Sequence, residues 1–293
     1  MTTAAPRWYA HPYNRPLFYR LAGAAAMLPR PARLCLAMGV AEVAARWMPA
    51  ERAVVRRNLE RITGAQGAAL DALARALFRD FAVCFADLVS TNRRRGRALQ
   101  GRIARVIGAE YMRGMEGGVI SLTAHLGNWE LAGRLLASRA RRATHVVVAP
   151  DEAPGLDRWL RRNGDGVRFV TRARATAAVN LLAALRRGEV VALQGDRALG
   201  GRSDVNVSFF GRAAPFPLGP FLLGRASGAP ILPAFCVLDA DRRYVVMLGE
   251  PFTVPPGGEE GALIRWVGLL EQAVRERPTQ WFNFYDVWTP FDA

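Results

Sequence analysis

From residue 118 onward, short apolar runs alternate with amphipathic segments, and this alternation restricts the possible folds more than any other feature of the chain. The runs GVISLTA (118–124), THVVVAP (144–150), VRFVT (167–171), EVVALQ (189–194), PILPAFCVL (230–238) and YVVML (244–248) have the length and β-branched content of strands. Between several of them lie helical patterns, WELAGRLLASRA, LDRWLRRNG, TAAVNLLAALRRG and LGPFLLGRAS. A last helix, EGALIRWVGLLEQAVRER, precedes the aromatic stretch QWFNFYDVW. Strand and helix in turn require crossover connections, so the expected fold is α/β: a largely parallel twisted sheet, buried on both faces and flanked by helices.

The first hundred residues read differently. ERAVVRRNLERI and AALDALARALFRDFAVCFADLVS carry apolar residues at three- and four-residue spacing, the mark of amphipathic helices. The stretch from Leu17 to Met48 is apolar but is broken by Arg20, Pro29, Arg30, Pro31, Arg33, Glu42 and Arg46. No run reaches the roughly 18–20 uninterrupted apolar residues of a spanning helix. Two readings stand: a membrane-associating region that lies in the interface, or a helical hairpin packed on the core. The basic cluster Arg93-Arg94-Arg95-Gly96-Arg97 is either a solvated loop or a contact for anionic headgroups. No repeat, low-complexity tract or Gly/Ser linker interrupts the chain. A helical region over 1–100 and an α/β body over 101–293 are therefore expected to form one unit.

Charge narrows the partners. Forty basic residues, all arginine, against twenty-five acidic ones give a formal charge of +15. Such an excess attracts nucleic acid, anionic lipid headgroups or an acidic carrier protein. The arginines are scattered through helices with no zinc spacing, RNP-like strand or compact helix-turn-helix, so a nucleic-acid partner is not expected. Cys35, Cys84 and Cys236 are too few and too dispersed for a disulfide framework, which fits a reducing compartment. The stretch MTTAAPRWYAHPYNRP lacks the pattern of an export signal; the expectation is an unprocessed, cytoplasm-facing chain.

Open α/β sheets carry their reactive groups where strands end and helices begin. The segment Ser121-Leu-Thr-Ala-His125-Leu-Gly-Asn128-Trp129-Glu130 is such a junction. His125 and Glu130 flank the turn, a spacing that lets a carboxylate reach one imidazole nitrogen, fix the tautomer and leave the other nitrogen to take a proton. With no serine or cysteine nucleophile alongside, the pair suits activation of a substrate's own hydroxyl. The alternative is a hydrogen-bonded structural histidine. His11 and His145 lack an acidic neighbour at useful spacing, and no metal-ligand spacing accompanies His125.

HLGNWE after GVISLTA resembles the signature of the lipid A biosynthesis lauroyl and myristoyl acyltransferases, within the wider lysophospholipid and glycerolipid acyltransferase group. Gln194-Gly195-Asp196, Phe209-Phe210-Gly211, Gly228-Ala-Pro-Ile-Leu-Pro233, Val54-Val-Arg-Arg-Asn58-Leu59 and Gln280-Trp281-Phe282 are similar to that family's other blocks in order and spacing. The resemblance implies that His125 is the general base and Glu130 its orienting carboxylate. It also implies that Asp196, Arg162 (or the adjacent Arg161) and Asn128 bind substrate or shape its site. The implied reaction moves a fatty acyl group from acyl carrier protein or coenzyme A to a hydroxyl or amine of a lipid or glycolipid, with no metal or redox cofactor. It implies a peripheral place on the cytoplasmic face of a bacterial inner membrane, against its anionic surface. The segment from Ala213 to Phe221 departs from the pattern with a bulky phenylalanine, which either fills core or reshapes an acyl pocket. Three rivals remain: hydrolysis of the thioester by the same pair, a membrane scaffold without catalysis, and a basic nucleic-acid-binding protein.

Overall fold

The computed structural model describes residues 16–93, 101–113, 115–133, 142–148, 166–171, 176–198, 200 and 203–289. Four helices come first: α1 (Pro16–Ala25), α2 (Arg30–Trp47), α3 (Pro49–Thr63) and α4 (Gly67–Arg93). Pro31 and Pro49 sit in the first turns of α2 and α3, where a missing N–H breaks no helical bond, and Gly64 ends α3 in the left-handed conformation. The body then runs through β1 (Ile103–Ile107), β2 (Val119–Thr123), β3 (Thr144–Val148), β4 (Val167–Thr171), α5 (Ala177–Arg186) and β5 (Val190–Gln194). It continues through β6 (Asp204–Phe209), β7 (Arg212–Pro217), α6 (Gly219–Ser227), β8 (Ile231–Leu238), β9 (Tyr244–Leu248) and α7 (Glu259–Glu276).

Seven strands form one sheet in the order β1-β9-β8-β2-β5-β3-β4, and only the β8–β9 pair is antiparallel. The continuous apolar runs become its centre: β2, β3 and β8 are buried at every position, as a sheet covered on both faces requires. The α/β expectation holds. Two features escaped the sequence reading. Strand β1, IARVI, lies on the sheet edge with only Ile103 buried, and Arg105 breaks its apolar run. Strands β6 and β7 form a separate hairpin around a two-residue turn, Phe210-Gly211, with both residues at positive φ. Phenylalanine is a poor marker for such a turn; here its N–H donates to the Glu271 carboxylate at 2.8 Å.

Helices α5, α6 and α7 cover the sheet with a core that includes Trp266, Leu270, Phe209 and Ile231. Phe216 and Phe221, from the segment that departs from the family pattern, are fully buried in this core. Helices α2, α3 and α4 share a second core with β8, β9 and the aromatic stretch near the C-terminal end. Asn58 of α3 donates to the carbonyls of Asn283 (3.2 Å) and Tyr285 (2.9 Å), and Thr279 donates to Asp80 of α4 at 2.8 Å. Among the described residues no helix is long and apolar enough to cross a membrane.

The turn after β2 depends on Gly127. Its φ is +63°, and a Cβ there would lie 2.1 Å from the Cys236 carbonyl oxygen. Gly127→Ala is expected to destabilise the fold by at least about 3 kcal/mol, the sum of left-handed strain and a backbone clash, read from urea unfolding.

Candidate active site

Strands β2 and β5 run parallel with Thr123 beside Gln194, so the residues two places beyond each strand end also face one another. Those residues are His125 and Asp196. The imidazole Nδ1 lies 2.7 Å from Asp196 Oδ1, and the His125 backbone N–H donates to Oδ2 at 3.0 Å. Gly195 makes the approach possible: a Cβ would meet Leu122 and Trp266 at 2.9 Å, and the Trp266 indole N–H donates to the Gly195 carbonyl at 2.8 Å.

Asp196 has no exposed surface, whereas the His125 side chain keeps 19% of its own. Two more donors reach the carboxylate, Trp281 Nε1 at 3.1 Å and Asn283 Nδ2 at 3.5 Å. Burial alone would push this carboxyl up. The charge and hydrogen bonds of His125, aided by Arg197, outweigh it and hold the pKa down at about 2. Arg197 is itself fixed, donating to Asn283 Oδ1 at 2.9 Å and to the Phe282 carbonyl at 2.7 Å. The aromatic stretch clamps the histidine from the other side: Phe282 N–H donates to the His125 carbonyl and Gly127 N–H to the Gln280 carbonyl, both at 2.8 Å. Trp129 stands edge to face with the imidazole, ring centres 5.7 Å apart.

The expected residues thus fall in different places. The carboxylate on Nδ1 is Asp196, which was expected to bind substrate; a parallel register brings it there across 71 residues of sequence, a relation that local spacing does not reveal. Glu130 lies on the helix that starts at 129 and is buried. Asn128, also expected at the substrate, is 4% exposed and turns inward, donating to the Cys84 carbonyl (2.9 Å) and the Tyr244 hydroxyl (3.1 Å). Tyr244 in turn donates to Asp87 at 3.1 Å. Burial pushes the Asp87 carboxyl up, but Arg30, Arg102 and Arg33 surround it and hold it below its ordinary range. The turn that carries His125 is therefore tied to α2 and α4 through a buried polar chain. Arg162 lies outside the described residues. Trp281, Asn283, Arg197 and Tyr244 were missed; the signal for the first two was a pair of polar residues, Gln280 and Asn283, set among aromatics. Among the described residues no cluster of three or more His, Cys, Asp or Glu is arranged to hold a metal ion.

The profile of the bacterial lipid A biosynthesis acyltransferases matches residues 17–289. The chain belongs to this family. A phosphatidylinositol mannoside acyltransferase of Mycobacterium tuberculosis is 30% identical over 192 residues, 62% of this chain and 60% of that protein. The lipid A biosynthesis lauroyltransferase of Escherichia coli is 25% identical over 289 residues, 87% of this chain and 84% of that protein. The chain thus aligns with less than two thirds of the mycobacterial relative's length.

The Asp196 pairing has a measurable cost in acid. Its pKa is depressed from 3.8 to about 2, so its contribution to stability is fully present above the unfolded value and is lost as pH falls through the folded one. Urea-unfolding free energies should fall by about 1–2 kcal/mol between pH 4.5 and pH 2.5 on account of this group. Asp196→Asn should remove that part of the slope while leaving other carboxylates to titrate.

Proposed function

We propose that this protein transfers a fatty acyl group from the thioester of acyl carrier protein or coenzyme A to a hydroxyl or amine of a lipid or glycolipid, with His125 as the general base. The observation that carries this reading is the His125–Asp196 contact at the end of β2, in a chain of the acyltransferase family. The names of the two relatives, one a mannoside acyltransferase and the other a lauroyltransferase, support a fatty acyl group and a lipid-borne acceptor.

The chemistry follows from the tautomer. Asp196 is a carboxylate at any pH above about 2, so it accepts the Nδ1 proton and leaves the Nε2 lone pair to receive one. As the acceptor oxygen or nitrogen attacks the thioester carbon, its proton passes to Nε2. The imidazolium that forms is stabilised by the buried anion behind it, and the proton leaves with the departing thiolate sulfur. Asp196 thus does the orienting that the sequence alone assigned to Glu130. The net +15 favours an acidic carrier protein as donor over a small thioester.

The same reading sets the protein on an anionic membrane surface, at the cytoplasmic face of a bacterial inner membrane. In its support, α1, α2 and the link between them expose Leu21, Met27, Leu28, Leu36, Val40, Val43 and Trp47 among arginines, as an interfacial helix does.

Turnover of acyl carrier protein thioester with a membrane lipid extract, read by mass spectrometry, tests the assignment. His125→Ala is expected to lower kcat by at least about 10³, and Asp196→Asn by about 10²–10⁴, with native-like circular dichroism in both. Glu130→Gln is expected to cost less than Asp196→Asn. Near-wild-type turnover by His125→Ala would refute the base, and free fatty acid formed at the same rate without acceptor would make the protein a hydrolase.

A further inference from the structure

Away from the His125 site, a cleft of about 130 Å³ opens between α2, α3 and α4, lined by Glu42, Arg46, Arg52 and Arg75 over a floor of Ala45, Ala74 and Phe78. Its acid is occupied, because Glu42 pairs with Arg79. Arg52 spends one Nη on Asp71, 2.9 Å away, and Asp71 also takes Arg56. Among the described residues, Arg46 and Arg75 pair with no carboxylate. Three arginines thus line a hollow that has room for about four water molecules, the size of one small anion and not of a protein helix. Guanidinium groups bind phosphate oxygens with paired, directed hydrogen bonds.

The neighbouring surface indicates where that phosphate comes from. Leu36, Val40, Val43 and Trp47 of α2 are 48%, 58%, 49% and 71% exposed. Spacings of four, three and four residues put them on one face of the helix, with Trp47 at its last residue beside Arg46. An apolar stripe ending in a tryptophan, with unpaired arginines next to it, matches the layering of acyl chains and phosphates at a bilayer surface.

We propose that this cleft holds the phosphate of an anionic phospholipid while the α2 stripe lies in the bilayer, a proposal that rests on the membrane placement above. Arg46, Arg52 and Arg75 take the phosphate oxygens. The site orients the protein on the membrane and is separate from the acyl acceptor at His125.

Sedimentation with vesicles at physiological salt tests it. One set is phosphatidylcholine alone, the other phosphatidylcholine with phosphatidylglycerol at 3:1. The Arg46→Gln/Arg75→Gln double variant is compared with a charge-matched control, Arg113→Gln/Arg186→Gln, at two exposed arginines outside the cleft. The double variant is expected to bind the mixed vesicles at least tenfold more weakly, the control less than twofold, with unchanged thermal midpoints. Equal losses in the two variants overturn the proposal in favour of bulk charge. Saturable binding of inorganic phosphate that is lost in the double variant, with vesicle binding intact, makes this a free-phosphate site and overturns it too. Loss of acyl carrier protein binding with intact vesicle binding would make it a carrier-docking site instead. Trp47→Gln separates the two readings: it should weaken binding to both vesicle types. Wild-type protein that binds neither overturns the membrane placement itself.

Discussion

A carboxylate with no solvent contact keeps its charge only by collecting donors, and Asp196 collects them from two distant parts of the chain: the β2 turn and the aromatic stretch around Trp281. Each donor does a second task. The His125 backbone N–H fixes the turn, the imidazole is the proposed base, and Trp281 packs against Phe209 of the hairpin, ring centres 5.5 Å apart. Removing the charge would thus leave both segments without their common partner. A buried hydrogen-bonded anion contributes more to specifying one arrangement than to net stability, and here the specified arrangement is the His125–Asp196 contact.

A second buried anion repeats the logic at the other face. Asp87 sits among Arg30, Arg33 and Arg102 and accepts from Tyr244, which receives the Asn128 amide. Since guanidinium does not release its proton in proteins, the three cations around Asp87 stay charged however deeply they are buried. Lysine in the same places would be free to neutralise itself. The absence of lysine from the chain suits this cluster, whatever its origin in composition.

The parts of the fold legible in the sequence were those written in local pattern. Continuous apolar runs gave six strands of the main sheet, with β4 and β9 matching residue for residue, and the fully buried β2, β3 and β8 needed no partner to be recognised. Strand β1 was hidden by Arg105, which breaks its apolar run, and the hairpin by a turn whose first residue is Phe210 at positive φ. At the site, His125 and the glycine turn stood out because a histidine closing an apolar strand is uncommon within one window of sequence. Its partner was assigned to Glu130 on spacing and on resemblance. Asp196 is adjacent only through strand register, and register is a property of two segments that neither reveals alone. Asn128 was read as near substrate because it shares the motif, yet its side chain turns inward to Cys84 and Tyr244.

The closing segment also governs when the site comes into being. Residues 280–283 supply the Trp281 and Asn283 donors to Asp196 and two of the backbone bonds that hold the histidine turn, and they follow every strand of the sheet in sequence. A chain still emerging from the ribosome can assemble its sheet and bring His125 beside Asp196 before the segment that covers that carboxylate has been made. Until residues 280–283 are in place, the anion lacks two of its donors and the imidazole turn two of its backbone restraints, so the ordering of this pair trails the formation of the sheet.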